Sequence, residues 1–167
     1  MRFSCSSKHV LAHNSFFPLP DPGLAQNQHP IEAEMLVVAR NLVWAGLMGG
    51  QVPSLEVSAQ GSLLVKSEQT GIGRSPWEQT LTLAERDGEL RVAGYTFGQW
   101  DRLTAGTAVC DWNLLTGNWT MSFEVPSETG PGRKSDTSGQ RAAQIVVSDW
   151  RADADMMPDF CQVDLGD

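Results

Sequence analysis

Histidine is nearly absent from this chain, and the three present, His9, His13 and His29, all precede residue 30. A domain built from the remainder has no imidazole for a Ser-His-Asp or Cys-His arrangement. Phosphate loop, dinucleotide fingerprint and nucleophile elbow are missing as well, so catalysis by the common routes is poorly supported. Cysteine is sparse: Cys5, Cys110 and Cys161 are an odd number without a CxxC pair. Their spacing argues for neither a disulfide framework nor a zinc site. A Cys110 to Cys161 bridge is open to the chain in an oxidising compartment and disfavoured in the cytosol.

Positive charge is also short. Twelve Lys and Arg against twenty Asp and Glu leave a formal charge of -8, which repels nucleic-acid phosphates and anionic lipid head groups. No stretch approaches the roughly 18 apolar residues of a membrane span. The leader Met1 to Lys8 runs into His9, His13 and Asn14 instead of the continuous apolar run of a secretory signal. The expectations are a cytoplasmic protein with no nucleic-acid or membrane partner, no cofactor and no metal.

What is present points to strands. A chain of 167 residues with 16 Gly and 9 Pro suits one domain, with or without a tail, rich in turns. Its centre is the stretch from Trp77 to Val125, where apolar and polar residues alternate. Residues 77–86 and 89–97 flank Asp87-Gly88, a pair that supplies the positive φ of a two-residue hairpin turn. Residues 107–115 and 118–125 flank Thr116-Gly117 in a second copy. Trp119, Met121, Phe123 and Val125 share one side of the last strand, so a one-residue slip would turn four large apolar groups to water. Residues 53–59 and 62–68 form a further hairpin, and 141–148 reads as a seventh strand.

Around this meander lie other segments. Residues 1–29 read as an arm broken by Pro18, Pro20 and Pro22, either extended along the domain or disordered. The His9 and His13 spacing would suit a metal only on a helix, which that arm does not support. A helix is expected over 31–48, starting after Pro30 and stopped by Gly49-Gly50, with Leu36, Ala39, Val43 and Leu47 on one face. Residues 126–140 read as a long polar loop, and 149–167 as an acidic end lacking the glycine and glutamate of a calcium loop. The domain proper is 30–148. The predicted fold is α+β, mainly β: a bent antiparallel meander of about seven strands with one packed N-terminal helix, or alternatively a closed up-and-down β-barrel.

Three functional readings follow. The first is a noncatalytic binding or accessory protein acting on a protein partner or as a homodimer. The second is a carrier of a small apolar ligand in a curled sheet, with Trp112, Trp119, Phe97 and Arg74 at the pocket. Arg74 also sits in Gly71-Ile72-Gly73-Arg74, a weak anion cradle. The third is a hydrolase or lyase using Asp111 beside Arg91 or Arg102, which requires an inward carboxylate of raised pKa.

Overall fold

The computed structural model describes residues 39–44, 52–151 and 157–166. The chain divides into two units, Met1–Leu36 and Val37–Asp167, and every described residue belongs to the second. The arm of residues 1–29 lies outside the described residues. So does most of the expected helix; the part that is described, 39–44, is irregular, with Asn41 at φ 56°.

Seven antiparallel strands follow one another in space as in sequence: β1 (Ser54–Val57), β2 (Leu63–Gln69), β3 (Trp77–Arg86), β4 (Glu89–Trp100), β5 (Thr107–Asn113), β6 (Asn118–Val125) and β7 (Arg133–Gln140). The meander is open. No ladder joins β7 to β1 among the described residues, so the barrel alternative is set aside. The β3–β4 turn has the conformation its sequence dictates, with Asp87 at φ 56° and Gly88 at φ 81°.

One face of the sheet is the core and the other is solvated. On the outer face a polar row crosses six strands in register: Lys66, Thr80, Thr96, Asp111, Thr120 and Ser138. On the inner face Val65, Leu81, Tyr95, Trp112 and their neighbours are buried. The apolar residues of β4 occupy both sequence parities, Leu90 and Val92 on one and Tyr95 and Phe97 on the other, and a bulge reconciles them. Leu83 pairs with Val92 while Thr82 pairs with Gly94, so Ala93 is an extra residue that shifts the parity. Val92 before it and Tyr95 and Phe97 after it therefore all face inward.

The last strand differs from the sequence reading. Residues 133–140 pair along the whole of β6, whereas 141–148 form an irregular strap. The strap touches the sheet through the Arg91 and Val146 bridge, Val92 N–H donating to Ile145 O (2.9 Å) and Val147 N–H donating to Leu90 O (3.0 Å). A polar strand at a sheet edge needs nothing to bury, since its backbone pairing and its charges suffice.

The strap supplies the second layer. Val147 and Trp150 are buried against the inner face, Trp150 beside Tyr95. Residues 157–166 continue the cover through a single 3-10 turn, Asp159–Cys161. There Cys161 is joined by a disulfide to Cys110 on β5, with Cα atoms 5.3 Å apart. Phe160 stacks on Trp119 (centroids 4.5 Å apart) and meets Trp112 edge-on (5.4 Å). Trp119 can lie flat because the residue opposite it on β7 is Gly139, where a Cβ would stand 2.6 Å from the ring.

Candidate functional site

Two places invite a functional reading: a cleft at one end of the sheet and the bare edge at β1.

The cleft, of about 190 Å³, is lined by Arg74, Ser75, Gln99, Asp101 and residues 163–166. Asp101 stands at its centre, only 3% exposed. Its carboxylate accepts from the Leu103 N–H (2.8 Å), the Thr104 N–H (3.0 Å) and Arg74 Nε (2.5 Å). The Thr104 amide, with help from Leu103 and Arg74, outweighs the effect of burial and holds this carboxyl below the usual aspartate range. A carboxylate so held stays ionised and makes a poor general acid.

The other polar groups around the cleft tie residues 163–166 and the 70–76 loop in place. Arg102 donates to Gly73 O (2.6 Å) and Thr70 O (2.5 Å). Gln99 Nε2 donates to Val163 O (3.1 Å), Thr104 Oγ1 to Leu165 O (2.8 Å), and Arg133 to Asp164 O and Gly166 O. The arrangement pins residues 163–166 against the 70–76 and 101–106 loops. Its chemistry is that of a clamp.

The expected catalytic group does not assemble. Asp111 points to the solvated face and accepts from Thr96 Oγ1 at 2.9 Å. Arg91 is paired with Glu89 (2.8 Å) and Gln144 (3.0 Å) near the start of β4, while Arg102 lies beyond its end. At about 3.3 Å per residue, each arginine's position on the chain is some 17–20 Å from that of Thr96, opposite Asp111.

The expected ligand site divides into three. Trp112 and Trp119 are a cross-strand pair, but the room beside them is taken by Phe160, and Trp112 Nε1 donates to Arg141 O at 2.9 Å. Phe97 belongs to a separate stack with Trp77 and Tyr95, and Arg74 is in the clamp. Sequence reasoning missed Asp101 as the clamp's centre. The signal available was the Asp101-Arg102-Leu103-Thr104 turn, with a carboxylate placed to receive the amides two and three residues on.

At the β1 edge of the sheet, Leu55 and Val57 lie on the inner face, opposite Val65 and Leu63, yet they are 42% and 74% exposed. Val52, just before β1, is 83% exposed. Glu56, on the outer face, is neutralised by Lys66 Nζ at 2.7 Å. The inner face next to this edge is also incompletely satisfied. Ser67 Oγ, Gln69 Oε1 and Gln79 Nε2 are buried without hydrogen-bond partners, and Ser67 and Gln79 are directly opposite each other. Two further such atoms, Arg91 Nε and Trp150 Nε1, lie elsewhere.

No helix among the described residues is long and apolar enough to cross a membrane, and no group of three or more metal-ligating side chains occurs among them. No protein-family model, curated protein or solved structure matches the chain.

Proposed function

We propose that this chain is a noncatalytic binding domain that engages a protein partner through the β1 end of its sheet. The observation that carries the reading is the row of exposed apolar residues, Leu55 and Val57, on the very face that is otherwise the core. Single exposed apolar side chains are ordinary on any surface. Here they share a strand that, among the described residues, is also the free edge of a ladder, so unpaired backbone groups and apolar side chains are offered together.

That combination suits an extended segment of the partner, pairing with β1 and laying alternate apolar residues beside Leu55 and Val57. Glu56 presents no unpaired charge against it, because Lys66 already neutralises it. A second copy of the chain, contributing its own β1, is one such partner.

The test is to compare the full chain with Val57→Lys by native gel electrophoresis of gently lysed cells. The wild-type chain is expected to migrate as an assembly larger than its own 18.2 kDa, and the variant at monomer size. Monomer migration by both would remove the proposal.

A further inference from the structure

We infer that the Cys110 and Cys161 bridge is made by a thiol-disulfide oxidant while the chain folds, and that the protein therefore matures in an oxidising compartment, outside the cytosol. Both cysteines are 1% exposed and lie in the core between β5 and the strap. Their Cα separation of 5.3 Å falls in the middle of the range that a disulfide spans.

The architecture gives the bridge its weight. A single open sheet has only one buried face, and among the described residues that face is covered by the irregular strap, residues 157–166 and residues 39–44, whose Ala39, Leu42 and Val43 pack against it, instead of a second sheet or a long helix. Residues 157–166 carry one 3-10 turn of regular structure; Gln99 and Thr104 tie down Val163 and Leu165, but the ion pair beside Phe160, Arg141 to Asp159 at 2.6 Å, is exposed to water. Exposed ion pairs contribute little. The covalent link, spanning 51 residues of sequence, anchors the residue next to Phe160, whose ring lies over Trp112 and Trp119. Such links form and persist in oxidising compartments and are rare in the glutathione-buffered cytosol.

The chemistry balances with a disulfide donor of the oxidoreductase class. One cysteine thiolate attacks the donor disulfide to give a mixed disulfide, and the second thiolate displaces the donor. Two electrons and two protons pass from the chain to the donor, which leaves as a dithiol. Closure then buries both sulfurs, so reductants in solution reach the bridge only when the strap opens.

The experiment uses the full chain in the cells that make it. Cells are quenched in acid, free thiols are blocked with N-ethylmaleimide, and the protein is mapped as peptides without reduction. The expected result is a Cys110 to Cys161 linked peptide with neither residue alkylated; alkylation of both would overturn the inference. On the purified protein, full reduction is expected to lower the melting temperature by on the order of 10 °C, or to abolish the cooperative transition. An unchanged melting temperature would equally overturn the claim that the fold depends on the bridge.

Discussion

The two edges of the sheet solve the same problem in opposite ways. Among the described residues, β1 and β7 both end the ladder, each with a strand on one side only. β7 carries Arg133, Lys134 and Asp136, and its inward positions are Ser135, Thr137 and Gly139, which require little apolar cover. What apolar surface remains on that side, the Trp119 ring, is covered by Phe160 and latched through Cys161. β1 is four residues long, its one charge is neutralised, and its inward positions are Leu55 and Val57, left exposed. One edge is finished by the chain itself. The other is finished, in the account proposed here, by a partner.

This contrast breaks most severely on the finished side. Replacing Phe160 with Ala removes the ring stacked on Trp119 and is expected to cost about 3 kcal/mol in a denaturant titration. Next in size is Gly139→Val: its side chain would occupy the space of the Trp119 ring, 2.6 Å from the Cβ position. The expected loss is about 2 kcal/mol from overpacking, accompanied by a change in tryptophan fluorescence as the ring is displaced.

A smaller effect comes from pH. The folded-state pKa of Asp101 is depressed, so its contribution to stability is fully present above the unfolded value of about 3.9 and is lost as pH falls through the folded value. The melting temperature should fall below about pH 4, and part of that fall should disappear in Asp101→Asn. The smallest stability effect is expected on the bare side, where Val57→Lys should stay within about 0.5 kcal/mol of wild type while removing the assembly.

The strands with an alternating apolar pattern, β1 among them, were legible in the sequence, and β7, which has none, was not. Trp119, Met121, Phe123 and Val125 announce β6 by alternation, and Asp87-Gly88 announces its hairpin. β7 reads as loop because Arg133 to Gln140 has no apolar pattern, and its strand character comes from pairing with β6. Residues 141–148 carry the apolar pattern of a strand, with Ile145, Val146 and Val147 in a row, but cover the sheet as a strap. The Ala93 bulge is invisible to periodicity, so Leu90, Val92, Tyr95 and Phe97 looked as if they faced both ways.

The candidate site was less legible than the fold. Arg74 was singled out, yet its partner Asp101, 27 residues further on, is set by loop geometry that spacing does not encode. Asp111 turned outward with its strand, as Cys110 and Trp112 turned inward. The exposure of Leu55 and Val57 is a matter of tertiary cover, which no local pattern records.

The most direct test places a photocrosslinking amino acid at Val57 in one version of the full chain and at Asp136 in another, expressed where the protein is normally made. The account predicts a discrete protein adduct from position 57, lost when Leu55→Lys is added, and none from position 136. Equal adducts from both edges, or none from position 57, would contradict it.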